Sequence, residues 1–205
     1  MFLIKMNAIT QTALSPQTTR VLFVGLGTMG LPMASNLVHA GFSVSGLDAN
    51  PATVEAFCKN GGRKAPAGAQ AAAEATVVVT MLPDDAIVSQ VLGGEAGLIA
   101  ALPAGTLVIE MSTTAPATKI ALAKQARARG VDFIECPVGR TMENAIAGTL
   151  SLMAAGDTAL IERAQPLLMK MGNELHLCGE IGAGSAIKLI NNALVASVNA
   201  ASIEA

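Results

Sequence analysis

Short, unbroken apolar runs alternate along this chain with longer stretches in which apolar residues recur at helical spacing. An unbroken run suits a strand covered on both faces, and the helical stretches between runs supply the cover. The pattern therefore predicts an α/β fold, doubly wound on a mainly parallel sheet. Residues 21–24, 42–47, 76–81, 107–111 and 131–136 read as its strands, and 150–154 and 175–178 as two more. Helices are expected over 29–40, ended by Gly41; from Asn50-Pro51, with proline in the first turn; over the alanine-rich 65–75; and over 116–129, with Lys and Arg near its end and Gly130 after it. Asp157 is placed to cap a helix between the last two strands, and Asp84-Asp85 to cap another.

The final segment breaks the alternation. Residues 185–205 read as one helix, apolar nearly all round and interrupted by Lys188, Asn191, Asn192 and Asn199, with no stop signal. Such a helix has to be buried, and nothing later in the sequence can bury it, so either the sequence is a fragment or a partner chain covers the helix. Residues 1–19 are rich in Ser, Thr and Gln and free of acids. They predict a disordered tail, with a transit peptide as the lesser reading. The expected division is a tail at 1–19, an α/β domain at 20–184 and a helix leading out of it at 185–205.

Composition narrows the function. With 2% aromatics, no Trp or Tyr and a net charge of -2, the 205-residue chain lacks both the basic footprint and the stacking surfaces of a nucleic-acid binder. The absence of Tyr removes tyrosine acid-base mechanisms. Cys58, Cys136 and Cys178, with no C-x-x-C, argue against a disulfide framework or a structural zinc, and no metal site is expected. A reducing, cytoplasmic setting is the simplest reading. Residues 21–47 carry no formal charge, but glycines, Pro32, Asn36 and His39 punctuate them, so no membrane span is expected there.

Two constellations carry chemistry. Gly25-Leu-Gly27-Thr-Met-Gly30 follows a predicted buried strand and opens a helix, and Asp48 closes the next strand 18 residues after Gly30. Alone a G-x-G-x-x-G is often only a tight turn; in this setting it is the dinucleotide fingerprint, with free amides for a pyrophosphate and an acid for the adenosine ribose. The acid favours NAD (NADH) over NADP; FAD and S-adenosylmethionine folds remain rivals. The second constellation is Lys188 with Asn192 on one helix face and Asn191 beside them. A lone helical lysine is ordinarily a solvated charge. Here its neighbours are apolar, and a desolvated lysine can serve as a proton donor, with Asn192 orienting a substrate oxygen. His39, His176 and Cys136 have no partner at a linking distance in sequence and read as structural.

Gly25 to Leu37, Met81-Leu-Pro83, Met111-Ser-Thr113, Pro137-Val138 with Gly148-Thr-Leu150, and Gly179 to Asn192 together resemble the β-hydroxyacid dehydrogenase family, in the family's order from about Arg20 onward. The resemblance implies an N-terminal Rossmann domain, a long connecting helix and an all-helical C-terminal domain that closes the cleft and usually supplies dimer contacts, so a homo-oligomer at full length. It implies Lys188 as catalytic lysine with Asn192 beside it, and Thr28, Met29, Asp48, Leu82 and Thr113 as cofactor contacts. Most of the family has Ser-Gly-Gly after the Pro-Val turn; this chain has Gly139-Arg140-Thr141. Arginine offers a planar fork of donors suited to a strongly acidic anion. That stretch, with the following Asn144-Ala-Ile-x-Gly, is similar to the 3-sulfolactaldehyde reductase branch, in which the arginine and the residue at Asn191 bind the sulfonate; a serine of that branch is Val195 here. Gly139 and Thr113 complete the implied substrate site. The implied reaction is NADH-dependent reduction of a small anionic aldehyde to its hydroxy acid. 3-Hydroxyisobutyrate or tartronate semialdehyde dehydrogenase is the nearest alternative, and a nucleotide-binding module without turnover the alternative of another class.

Overall fold

A computed structural model describes residues 12–66 and 69–204. Its main sheet holds six parallel strands: β1 Arg20–Val24, β2 Ser43–Leu47, β3 Arg63–Lys64, β4 Val77–Thr80, β5 Leu107–Glu110 and β6 Asp132–Glu135. Helices α1 Gly30–His39, α2 Pro51–Lys59, α3 Ala69–Glu74, α4 Asp85–Leu92, α5 Leu98–Ala101 and α6 Pro116–Ala128 connect them. The spatial order β3-β2-β1-β4-β5-β6 reverses direction between β1 and β4, and in open sheets of this kind ligands sit at the carboxyl ends of the strands at that point.

The unbroken apolar runs have a simple cause. Val21 and Phe23 of β1 enter one core while Leu22 and Val24 enter the other; Val77 and Val79 of β4 alternate with Val78 in the same way. Both faces are apolar because helices cover both.

The chain then builds an annex: β7 Val138–Gly139 and α7 Met142–Ala147, β8 Leu150–Ala154, α8 Thr158–Leu168 and β9 Gly172–Leu177. β7 runs antiparallel to β8 and β8 parallel to β9, so these strands form a second, three-stranded sheet of their own, which the apolar pattern does not distinguish from the first. The last element, α9 Ala183–Glu204, leaves this body. Asn50, Asp84 and Asp157 cap α2, α4 and α8, accepting from Ala52, Ile87 and Asp157's neighbour Ala159 at 3.0, 2.8 and 2.8 Å.

Three expectations need correction. Of the alanine-rich 65–75, only Ala69–Glu74 is helical among the described residues; Ala65 instead donates to the Gly46 carbonyl and prolongs the β3 edge. The tail expected at 1–19 does not hold for its described part: residues 1–11 lie outside the described residues, but Leu14 is buried in the main core, its N–H donates to the Arg163 carbonyl, and Ser15 to Thr19 form a hydrogen-bonded turn. The last helix begins at Ala183, two residues early, for a reason given below.

Every residue of α9 from Leu189 to Glu204 is exposed, including Ile190, Leu194, Val198 and Ile203. By length and composition α9 would also suffice to cross a membrane.

Candidate active site

β1 runs into Gly25, which adopts φ +93° and stands so close to Met81 that a Cβ would lie 2.2 Å from the Met81 carbonyl oxygen. Gly30, at the start of α1, would place a Cβ 1.8 Å from the Gly25 oxygen. Between these two pinned glycines, Gly27 faces open space, with nothing within 4 Å of its would-be Cβ. Among the described residues, the N–H groups of Gly27, Thr28 and Met29 have no partner. A turn fixed at both ends and bare in the middle, at the positive end of a helix, is a cradle for an anion.

The cradle opens into a cavity of about 700 Å³, lined by Gly25, Gly27, Thr28, Met29, Gly30, Asp48, Leu82 and, unforeseen from sequence, by Pro83, Ile87 and Val91. Seven residues predicted to contact cofactor thus share one cavity. Asp48 accepts from the Leu26 N–H at 2.6 Å and the Asn50 N–H at 2.8 Å, so the carboxylate that closes β2 also braces the glycine turn. The residues present fit a dinucleotide: bare amides for the pyrophosphate, a held carboxylate for the ribose, and apolar walls from β4 onward for a base.

Behind the Leu82 loop stands a cluster of charges that the sequence reading left unassigned. Glu110 ends β5 and Lys119 sits in α6; both side chains are fully buried and form an ion pair. Glu110 also accepts from the Thr80 hydroxyl at 3.3 Å and the Ser112 N–H at 3.0 Å, while Lys119 donates to the Ser112 carbonyl at 2.9 Å. The Ser112 hydroxyl in turn accepts from the Leu82 N–H at 2.8 Å. Two adjacent loops, one carrying Leu82 and the other Thr113, are locked together through Ser112. Asp85 fixes the far end of the second loop by accepting from the Ala115 N–H at 2.9 Å and from the Thr118 hydroxyl. Asp84 and Asp85 therefore serve two different helices, α4 and α6. Burial pushes the Lys119 ammonium down to about 7, against the pull of Glu135 and Asp85. The only sequence signal for this cluster is a charge standing at the end of an apolar run, as in Leu107-Val-Ile-Glu110 and Phe133-Ile-Glu135.

Lys188 lies near the root of α9, half-buried, with no hydrogen-bond or ion-pair partner among the described residues. Burial lowers its ammonium below the ordinary lysine value. Asn191 and Asn192, one turn further, are exposed. None of the three lines the cofactor cavity, and Thr113, half-buried, stands beside it only through its neighbour Ser112.

The annex holds the remaining candidates. Gly139 is buried in β7 opposite Ser151. Arg140 follows at φ +79°, and its guanidinium donates to the Thr149 carbonyl at 2.5 Å, to Asn173 at 2.9 Å and to Glu174 at 2.5 Å. The fork of donors is present but already holds a carboxylate. His176 also has an acid nearby, contrary to its reading from sequence: Glu174 lies 3.7 Å from its Nε2. Burial pushes the Cys136 thiol well up, which suits an inert apolar side chain. No group of three or more metal-ligating side chains occurs among the described residues.

Residues 20–181 match the family model of the NAD binding domain of 6-phosphogluconate dehydrogenase. The chain is 44% identical over 185 residues to 3-sulfolactaldehyde reductase of Escherichia coli (strain K12), covering 90% of this chain and 62% of that protein. It is 37% identical over 187 residues to 3-hydroxyisobutyrate dehydrogenase of Pseudomonas aeruginosa, covering 91% and 63%. A solved Mycobacterium tuberculosis 3-hydroxyisobutyrate dehydrogenase with L-serine superposes with a TM-score of 0.82 at 35% identity, over 87% of this chain and 60% of that one. The chain spans about three fifths of the length of these relatives.

Proposed function

This chain belongs to the family of the NAD binding domain of 6-phosphogluconate dehydrogenase, with β-hydroxyacid dehydrogenases among its relatives, and from that we propose that it is the cofactor-binding part of an NADH-dependent reductase of small anionic aldehydes. The observation that carries the proposal is the bare Gly27 turn opening, with Asp48 and Leu82, into a single cavity. The substrate class is 3-sulfolactaldehyde or a carboxylated semialdehyde, reduced reversibly to its hydroxy acid.

A bound nicotinamide supplies the hydride for reduction and takes it back in the reverse direction. The chain's own residues do the rest. Amides of the Gly27 turn hold the pyrophosphate, and Asp48 accepts from the ribose hydroxyls while repelling a 2'-phosphate. The Ser112 lock keeps the Leu82 and Thr113 loops in a fixed relation. Lys188 gives its proton to the alkoxide oxygen and recovers it from solvent, and Asn192 orients that oxygen. Arg140 and Asn191 hold the substrate anion. This requires the substrate to take Glu174's place on the guanidinium, an exchange that an exposed pair of small net worth permits.

The test is binding and turnover on one panel. NADH is expected to bind more tightly than NADPH, and sulfolactaldehyde and succinic semialdehyde to be reduced faster than their uncharged analogues; equal rates for charged and uncharged aldehydes would sink the substrate class. Asp48→Asn is expected to weaken NADH binding about tenfold, the scale of one charge-assisted hydrogen bond, and to narrow the gap to NADPH. Titration calorimetry with both cofactors checks it.

The pH dependence follows from Lys188. Its ammonium is the acid for reduction, so the rate is full below its pKa and falls as pH rises through it, while oxidation rises over the same range. Because burial lowers that pKa, the alkaline limb should fall below the ordinary lysine range. A kcat for reduction that is flat up to pH about 11, beyond an unperturbed lysine, would remove Lys188 from the role.

A second reading, nucleotide binding without turnover, is favoured by the exposure of Asn191 and Asn192 and the occupied Arg140 fork. It predicts NADH binding with no reduction of any aldehyde on the panel.

A further inference from the structure

Glu135, the last residue of β6, is fully buried, yet it makes no part of the cofactor cavity. One carboxylate oxygen accepts from the N–H of Gly182 at 2.6 Å and of Gly184 at 3.0 Å; the other accepts from the Ser185 hydroxyl at 2.6 Å. Gly182 immediately precedes α9, and Gly184 and Ser185 lie in its first turn. The sequence there allows the approach: Gly182 adopts φ +103°, and a Cβ on Gly184 would lie 2.5 Å from the Met153 carbonyl oxygen and 3.4 Å from the Glu135 carboxylate. This cap starts the helix at Ala183 and not at Ser185. It also meets the exposed amides and positive end of the helix with a negative charge.

The cap matters because of what stands one turn beyond it. Gly184 and Ser185 are buried, Ala186 and Lys188 are half-buried, and every residue of α9 after Lys188 is exposed. Lys188 is three residues from Ser185, on the same helix face and about 4.5 Å further along the axis. It is the last side chain the domain shields before the helix projects alone. Among the described residues no hydrogen bond or ion pair holds the Lys188 amine, so its position is set by the angle and rotation of the helix at its root.

We propose that Glu135 is a positioning residue for Lys188, fixing through the first turn of α9 where the lysine amine stands relative to the cofactor cleft. The inference rests on the reading of Lys188 as the proton donor. Glu135 does not touch the reacting atoms; it acts on the rate only through α9. Loss of the cap should cost turnover without costing cofactor affinity, because the glycine turn and Asp48 are built on other strands. A misplacement of the order of 1 Å in a catalytic group can lower a rate about 10²-fold.

The experiment compares Glu135→Ala, Glu135→Gln and Ser185→Ala in the active enzyme by kcat, KM for NADH, and the alkaline limb of the pH profile. Glu135→Ala is expected to lower kcat about 10- to 100-fold at nearly unchanged KM for NADH, and to move the alkaline limb up toward the ordinary lysine value as Lys188 gains water. Glu135→Gln keeps an acceptor for Gly182 and Gly184 and should restore most of kcat. Ser185→Ala, which removes one of the three bonds and no charge, should shift kcat and the limb the same way by less, and decides the matter if Glu135→Ala does not fold. A loss of kcat matched by an equal loss of NADH affinity, or an unmoved alkaline limb in both Glu135→Ala and Ser185→Ala, overturns the inference. If Lys188→Ala leaves kcat and the limb intact, the underlying reading fails; if it abolishes both while the Glu135 and Ser185 variants change neither, only this inference fails.

Discussion

Lys188→Ala is expected to lower kcat for aldehyde reduction by about 10²–10⁴-fold, the usual contribution of a positioned acid, with NADH affinity unchanged. The reasoning separates the two effects by place. The residues proposed to contact cofactor lie at the ends of β1, β2 and β4, whereas Lys188 belongs to α9 and is not among the residues that line the cavity. On the proposed role of Lys188, removing the amine removes an interaction made in the transition state and leaves uniform binding alone. Steady-state kinetics with fluorescence titration of NADH checks both halves. A fall confined to KM for NADH would show that the lysine binds cofactor and does not transfer a proton. Lys188→Arg keeps the charge but holds its proton too firmly to give it up, and should rescue little.

The largest stability effect is expected from Lys119→Met. Lys119 and Glu110 are both fully buried, so the substitution leaves a carboxylate without its counter-charge in the interior. Breaking a buried pair in this way costs about 3–5 kcal/mol. For a domain of this size that corresponds to a fall in Tm of about 6–20 °C, read by calorimetry. Adding Glu110→Gln in the same chain should recover a large part of the loss, because the amide oxygen still accepts from Ser112 and Thr80 and position 110 no longer carries an unpaired charge. A double variant no more stable than Lys119→Met would show that the loss comes from packing around the lysine stem. Both variants should weaken NADH binding only as far as the Ser112 lock between the Leu82 and Thr113 loops loosens.

Local rules placed the elements well where a single physical demand fixed them. The runs 21–24 of β1, 77–79 of β4 and 107–109 of β5 had to be apolar because two helical layers press on them. Gly25 and Gly30 had to lack side chains because a carbonyl oxygen stands in the way of each. Asp48 had to close β2. Such constraints act within a few residues of one another, so they leave a trace in the order of the chain. The motif likeness around Arg140 pointed to a donor fork, but not to Glu174 and Asn173, more than thirty positions on, already holding it. The annex sheet escaped notice for a similar reason: β8 has the same kind of apolar run as the main sheet, β7 is only two residues long, β9 is mostly exposed, and only pairing tells which sheet a strand joins.

From the residues alone came the alternating architecture, the dinucleotide turn with its acid, and an apolar final helix carrying one lysine. These are properties of neighbours along the chain, governed by periodicity, turn geometry and local charge. Folding in three dimensions supplied the rest: Glu110 against Lys119 across β5 and α6, Ser112 joining two loops, and Glu135 seated at the root of α9. Those pairings link residues far apart in sequence, and a buried charge is tolerable only where its partners converge, which no run of neighbouring residues can reveal.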